Sequence, residues 1–595
     1  MHAAQYEVHN NVAVITFNNP PVNGLSFALR QAIVQFLEQT NADDAITAIV
    51  LTGSERAFSG GADVREFGTP LAFEEPILKT VIARVEDNPK PVVAAIDGVC
   101  LGGGFELALG AHYRLASSRA RVGLPEVNLG IIPGAGGTQR LPRVIGVDRA
   151  LPIILNAQMV AAPSLADTDL FVQVVEDDVV KAAIAFAQGL KQADTQAVRV
   201  RDLPIAPKQA EALLTQQLQY VKQYERHLPA KAAAVRAILG GVQEGFEKGL
   251  TNERAIFLEL LESRQSIALR YVFGSERAAA RVPEIERSTP VRPVKWVGVY
   301  GQSDRAHALQ QAFNAAGLGV TTVTRPEQFD GHLNDCDLLI EAVGGDDQAE
   351  VEAALSALAQ VAKQGAILAT ASDFSLSALS AKLSHPADLL RLQPGPSALA
   401  GSLWELGRST VTDPEVLATV LGLARRAGRH PVVALPDSAA VGPQLLQVYL
   451  QLARLLQASG IDLNTIDACL VDFGFSAGPF ATARALGVCM APSLGDEQIN
   501  DLPSLDAVPE LFMVALANHG AKLIDQGLVG RALDIDMLCV LGYGVGRFIG
   551  GPLHYCQQLG YEQVAAVLAQ AEQRWGQDNP LWQPAQGLAE LIKQS

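Results

Sequence analysis

The chain reads as α/β over its first third, as a second α/β segment beyond residue 293, and as all-helical at its end. Three observations predict this. Apolar strand-like runs (VAVITF at 12–17, AITAIVLTG at 45–53, PVVAAIDG at 91–98, YRLAS at 113–117) alternate with helical stretches such as FALRQAIVQFLEQT at 27–40, the pattern of a sheet covered by helices. A strand–turn–helix run, VKWVGVYGQSDRAHALQQAFNAAG at 294–317, precedes two more buried-strand patterns, CDLLIEAV at 336–343 and AILATAS at 366–372. Last, the helical stretch 460–480 recurs as 527–555. The length of 595 residues, at about 150 per domain, suggests roughly four domains.

Composition bounds the function. With 49% hydrophobic and 18% charged residues the chain is globular, and a net charge of -17 argues against nucleic-acid or anionic-membrane partners. The cysteines Cys100, Cys336, Cys469, Cys489, Cys539 and Cys556 form no CxxC or Cys/His cluster, which fits a reducing compartment and no metal site. The start MHAAQYEVHNNVAVITF lacks the basic and apolar regions of a signal peptide, no later run of about 18 apolar residues suggests a membrane span, and IKQS is not an SKL-type ending. A cytoplasmic location is expected.

The first α/β segment is organised around residues 96–143. PVVAAI reads as a buried strand that ends in the turn Asp97-Gly98; Gly102, Gly103 and Gly104 follow, then the helical FELALGAH. Glycine lets backbone N–H groups approach a ligand closely, and the first N–H groups of a helix have no intrahelical partner. Glu106, one turn inside that helix among Phe105, Leu107 and Leu109, would be partly desolvated and kept near a working pKa. Glu126 stands directly after Pro125, which is expected to bar helix there, on an irregular glycine- and proline-rich loop suited to the wall of a site. Spacing alone leaves a bland alternative, since a glycine-rich turn is often only tight packing.

AFSGGADVREF at 57–67, AIDGVCLGGGFELALGAHYRLA at 95–116 and GLPEVNLGIIPGAGGTQRLPR at 123–143 together resemble the enoyl-CoA hydratase/isomerase (crotonase) family, in order and at family spacing, and PPVNGLS at 20–26 resembles its start. The resemblance covers residues 1 to about 190. It implies that Ala62 and Gly103 supply the backbone N–H donors for the thioester oxygen, that Glu106 and Glu126 are the catalytic acids, and that the substrate is an acyl-CoA. No cofactor is required by such a reaction, coenzyme A being part of the substrate. The acidic net charge does not oppose this, because a few local cations and helix N-termini suffice for its phosphates. By the same resemblance Glu126 would carry a 3-enoyl to 2-enoyl isomerisation.

Residues 196–292 read as a helical interdomain linker, KQAEALLTQQLQYVKQYE being polar and amphipathic. EGFEKGLTNERAIFLELLES at 244–263 and ALRYVFGSERA at 268–278 resemble the multifunctional β-oxidation enzymes, which implies the alternative that these helices close over the first domain and line an acyl tunnel. Residues 293–436 resemble the Rossmann-like NAD-binding half of a 3-hydroxyacyl-CoA dehydrogenase, with four departures. The dinucleotide loop is Gly301-Gln302-Ser303-Asp304-Arg305-Ala306, so the middle glycine is Ser303 while Ala306 is tolerable at the third position. The expected ribose-binding acid is Thr324, followed by Arg325; the expected histidine is Leu390 in LRLQP; the expected asparagine is Pro443. His385 reads as a surface residue, Glu405 would have no histidine to orient, and the helical insertion expected between Thr324 and Asp337 is nearly absent. NAD binding and dehydrogenase activity are therefore expected to be lost.

The tandem reads as two helical domains, 437–503 and 504–595; Asp467 and Asp536 could look like an acid pair, but structural capping or surface roles are expected for them. The whole is expected to be a crotonase-fold domain at 1–195, the linker, a degenerate Rossmann-like domain and two helical domains: an enoyl-CoA hydratase/isomerase with an inactive dehydrogenase-like half. The resemblance also implies a possible thiolase subunit as partner. The alternatives are a bifunctional hydratase and NAD-dependent dehydrogenase, and a noncatalytic acyl-CoA-binding scaffold.

Overall fold

The computed structural model describes residues 3–190, 199–286, 288–329, 331–345, 347–396, 399, 401–437, 439–488, 490, 503–577 and 579–593; Cys489 lies outside them. The chain divides into two compact units, Met1–Ile267 and Ala268–Ser595.

In the first unit the strands are β1 (Ala4–His9), β2 (Val12–Phe17), β3 (Ala48–Thr52), β4 (Ala57–Ser59), β5 (Val92–Ile96), β6 (Val99–Leu101), β7 (Tyr113–Ser117), β8 (Arg121–Gly123), β9 (Val160–Ala161) and β10 (Gln173–Val175). They form a six-stranded sheet, β1-β2-β3-β5-β7-β10, and a four-stranded sheet, β4-β6-β8-β9. Only β1 is antiparallel in the larger sheet. β3 (AIVLT) and β5 (VVAAI) are buried along their whole length, as expected of parallel strands covered on both faces. The helices are α1 (Phe27–Asn41), α2 (Leu78–Glu86), α3 (Gly103–Gly110), α4 (Gly137–Ile145), α5 (Val147–Leu155), α6 (Val179–Gln188), α7 (Pro207–Tyr224), α8 (Pro229–Glu244) and α9 (Phe246–Leu261).

Two expectations change here. Helices α7 to α9, read from the sequence as a linker, contribute Leu214, Ala233, Ile238 and Leu261 to the same core as Ile49, Ile96 and Leu107. The compact unit therefore extends past the expected boundary at 195, because the apolar stripes of these helices are buried on the sheet's own helical layer. Pro125 does not bar helix after itself: Glu126 opens a short 3-10 helix, Glu126–Leu129, since proline excludes helix on its N-terminal side but is tolerated at a helix start.

The second unit holds β11 (Trp296–Tyr300), β12 (Gly319–Val323), β13 (Leu338–Glu341), β14 (Ile367–Thr370), β15 (Leu389–Pro394), β16 (Leu403–Gly407) and β17 (His430–Val433) in the order β12-β11-β13-β14-β15-β16-β17. The pairing is parallel except between β15 and β16. This is a Rossmann-like sheet whose order reverses beside β11. The helical end is built around one core that includes Leu445, Leu456 and Ile466 from the first expected helical domain and Phe512, Ile535 and Leu553 from the second, so the two share their interior.

Candidate active site

A cleft of about 1000 Å³, its open mouth included, runs into the first unit and is lined by Ala62, Gly103, Glu106, Glu126, Phe257 and Leu261 among others. The four residues singled out from the sequence converge on it from separate segments. Ala62 follows β4 and is tied to the 20–26 turn: Leu25 N donates to Gly61 O at 2.8 Å, and the Ser59 hydroxyl donates to Asn23 O at 2.7 Å. Gly103 begins α3, so its N–H is one of those a helix leaves without an intrahelical acceptor.

The two backbones are close enough that a Cβ on Gly103 would lie 3.3 Å from Ala62 N and 2.5 Å from Leu78 Cδ2. Gly102 turns the chain into α3 at φ 52°, ψ −130°, a region open in practice to glycine alone. A Cβ there would also stand 3.1 Å from Glu126 Oε1.

Glu106 is 3% exposed, and its Oε1 accepts hydrogen bonds from Ala135 N and Gly137 N, both at 2.8 Å. Burial raises its pKa above the usual carboxylate range, and those two N–H groups, with Arg140 and Arg254, only partly offset that rise. Glu126 differs: its Oε2 is buried with no hydrogen-bond partner among the described residues. Burial, then the charge of Glu106, pushes its carboxyl well above the usual range. Both acids are thus desolvated in the same cleft, but only Glu106 is anchored by backbone N–H groups.

The equivalent region of the second unit is organised differently. Ser303 caps the helix Asp304–Ala315, its Oγ accepting from Ala306 N at 3.2 Å and donating to Ala342 O at 2.7 Å. Arg305 donates to Ala371 O at 2.6 Å and pairs with Asp373 at 3.1 Å. Gln328 Oε1 takes the amides of Thr324 and Arg325, at 3.0 and 3.1 Å. Leu390 is wholly buried in β15, His385 is exposed, and Glu405 accepts from Val441 N at 2.6 Å and Gly442 N at 3.0 Å, just ahead of Pro443 at the start of the helix Gly442–Ala458.

Residues 7–249 match the family model described as enoyl-CoA hydratase/isomerase, and residues 303–438 match 3-hydroxyacyl-CoA dehydrogenase, NAD binding domain. The chain carries a crotonase-type hydratase/isomerase domain and a dehydrogenase-type nucleotide-binding domain. The peroxisomal bifunctional enzyme of Homo sapiens is 29% identical over 99% of this chain and 97% of its own length. The fatty acid oxidation complex subunit alpha of Shewanella sp. (strain MR-4) is 24% identical over 95% of this chain and 96% of its own. A solved enoyl-CoA hydratase from Bacillus anthracis is 28% identical, covering 46% of this chain and 96% of its own, at a TM-score of 0.30.

The hydratase/isomerase domain also holds polar groups that sequence reasoning passed over. Glu253 of α9 is fully buried and accepts from Gly136 N at 2.6 Å, Thr138 N at 3.0 Å and Thr138 Oγ1 at 2.5 Å. Arg254 lines the cleft beside it. A signal was present: in FEKGLTNERAIFLELL the apolar stripe 246, 250, 257, 260 passes through position 253, and a glutamate on a buried stripe needs a partner.

No helix among the described residues is long and apolar enough to cross a membrane.

Proposed function

We propose that the first unit hydrates 2-enoyl-CoA thioesters, with Glu106 as general base, Glu126 as general acid, and the N–H groups of Ala62 and Gly103 holding the thioester oxygen. The observation that carries this reading is the contrast between the two carboxyls. Burial raises both, but Glu106 is gripped by two N–H groups that favour its anion, whereas Glu126 has a buried oxygen with no donor among the described residues and is pushed further up, as suits a neutral acid.

Water bonds to C3 as Glu106 takes its proton; the π pair of the double bond moves toward C2 and the thioester oxygen, where the two backbone donors meet the developing charge. Each such donor is worth on the order of a hundredfold in rate. The electron pair then takes the proton of Glu126 at C2. Exchange of one proton with solvent restores both carboxyls. Isomerisation of 3-enoyl thioesters through Glu126 would need that carboxyl ionised at the start, so the raised pKa favours hydration. The acyl chain belongs to fatty-acid-type β-oxidation, in keeping with the names of the relatives. A cytoplasmic setting and a thiolase partner belong to the same reading.

In the second unit the residues do not fit NAD. The hydroxyl of Ser303 occupies the helix start that would greet a pyrophosphate, the amides of Thr324 and Arg325 are taken by Gln328, and no ionisable group stands at 390. The dehydrogenase-like half is therefore read as structural. A bifunctional reading is favoured by two findings, the alignment of the human peroxisomal bifunctional enzyme over 99% of the chain and the match of residues 303–438 to a 3-hydroxyacyl-CoA dehydrogenase NAD binding domain.

One assay separates these readings: turnover of crotonyl-CoA by the wild type, Glu106→Gln and Glu126→Gln, with and without NAD. Each substitution is expected to lower kcat by about 10² or more, with no NADH formed by any of them. A Glu126→Gln enzyme with the wild-type rate would sink the mechanism and leave the binding-scaffold reading; NADH formation would restore the bifunctional one.

A further inference from the structure

We infer that Glu253 is a positioning residue for hydration, holding the loop 134–138 in the one conformation that lets two of its N–H groups grip Glu106. This rests on the reading of Glu106 as base. Four successive amides are shared between two buried carboxylates in strict alternation: Ala135 and Gly137 donate to Glu106, Gly136 and Thr138 to Glu253. The chain bends at Ala135 and Gly136, the latter at φ 109°, and enters α4 at Gly137, and in this geometry each carboxyl takes only two of the four amides. Without Glu253, two buried donors and the Thr138 hydroxyl lose their acceptor, at a cost that the loop would relieve by rotating its peptides. Rotation would withdraw the donors from Glu106.

The packing around the loop supports the same role. A Cβ on Gly137 would lie 2.7 Å from Pro133 Cβ and 3.0 Å from Glu106 Oε1, and one on Gly134 would lie 2.6 Å from the Phe257 ring. The loop is thus pressed between Glu106 and α9. Arg140 of α4 donates to Ala135 O at 3.1 Å and to Glu86 of α2 at 3.1 and 2.6 Å, fixing the loop's carbonyl side while Glu253 fixes its amide side. The ionisable groups facing the pair are Glu126 from the 3-10 helix, Arg140 from α4 with its partner Glu86 from α2, and Arg254 from α9 itself. Because α9 also carries Phe257 and Leu261 into the cleft, the element that contacts the acyl chain is the one that anchors the base.

The test compares wild type, Glu253→Gln, Glu253→Ala and Glu106→Gln in the full chain. In Glu253→Gln, kcat for crotonyl-CoA is expected to fall on the order of ten- to a hundredfold with KM changed by no more than about twofold, as for misplacement of a reacting group. The acid limb of kcat/KM is expected to move to higher pH, since Glu106 loses the N–H grip that favours its charged form. Hydrogen exchange at residues 135–138 is expected to accelerate in both Glu253 variants, a readout independent of catalysis; Glu253→Ala is expected to lose more kcat than Glu253→Gln, which keeps one acceptor. If Glu106→Gln is inactive while Glu253→Gln keeps the wild-type kcat, acid limb and loop exchange, the inference is wrong and the hydratase reading stands. If Glu106→Gln retains the wild-type rate, the hydratase reading itself fails.

Discussion

At the scale of single residues, the two acids of the cleft make the pH dependence of the enzyme a direct probe of their roles. Hydration needs Glu106 ionised and Glu126 protonated, so kcat/KM is expected to be bell-shaped, falling at low pH as Glu106 gains a proton and at high pH as Glu126 loses one. Isomerisation of a 3-enoyl thioester by Glu126 as base carries the opposite sign, rising with pH as that carboxyl ionises. Paired profiles on 2-enoyl and 3-enoyl thioesters check this, and parallel profiles would contradict the assignment. Gly102 offers a second test. Gly102→Ala meets both a left-handed φ and the Glu126 carboxylate, and is expected to cost about 1–3 kcal/mol of stability, with loss of kcat, by thermal melting and crotonyl-CoA assay. Glu106 and Gly103 were legible because the glycine run before the helix matches the crotonase family's motif as well as having a local geometric meaning. The partners of Glu106 were not, since Ala135 and Gly137 reach it only after the chain has folded back.

At the scale of elements, the tandem repeat shows how one local device is used twice. Asp467 accepts from Phe480 N at 3.0 Å and Ala481 N at 2.9 Å, and Asp536 accepts from Leu553 N at 2.7 Å and His554 N at 3.1 Å. Each aspartate caps a helix that opens at the proline of a Gly-Pro pair, Pro479–Ala485 and Pro552–Leu559. The capping role expected from sequence is what the geometry shows, although the cap comes from the preceding helix and not from the neighbouring residue. Asp536 is wholly buried, bonds Tyr271 Oη at 2.7 Å, and has its pKa pushed up to about 7 by burial.

Asp536→Ala is expected to destabilise the second unit by about 1–3 kcal/mol, more than Asp467→Ala, because it leaves buried donors unpaired; denaturant melts of the two variants decide this. The folded state keeps the Asp536 proton where the unfolded chain has lost it. Its contribution is therefore full below about pH 4 and fades as pH rises toward about 7. In Asp536→Asn that slope of stability against pH is expected to flatten.

At the scale of the whole molecule, the division of the chain falls after α9 and not before α7. A fragment ending at residue 195 lacks Glu253, Phe257 and the helices that complete the first core, and is expected to be insoluble or inactive toward crotonyl-CoA. One ending at 279 is expected to fold and hydrate. The nucleotide-binding unit is expected to give no fluorescence change on NAD titration, and a saturable change in the micromolar range would return the bifunctional reading to the front.

The sequence by itself determined the α/β class and the glycine turn that opens α3, while the two acids of the cleft and the replaced residues of the nucleotide loop were read from its resemblance to known families. Each of these is encoded in contiguous residues whose conformational limits do not depend on the rest of the chain. Only the tertiary structure decided that α7 to α9 share the first unit's core, and that Glu253 takes the two amides of 135–138 that Glu106 does not. Alternating amides at 135–138 pair with side chains about 30 residues before them and over 100 after, and such pairing is fixed by burial in three dimensions, which leaves no local pattern to read.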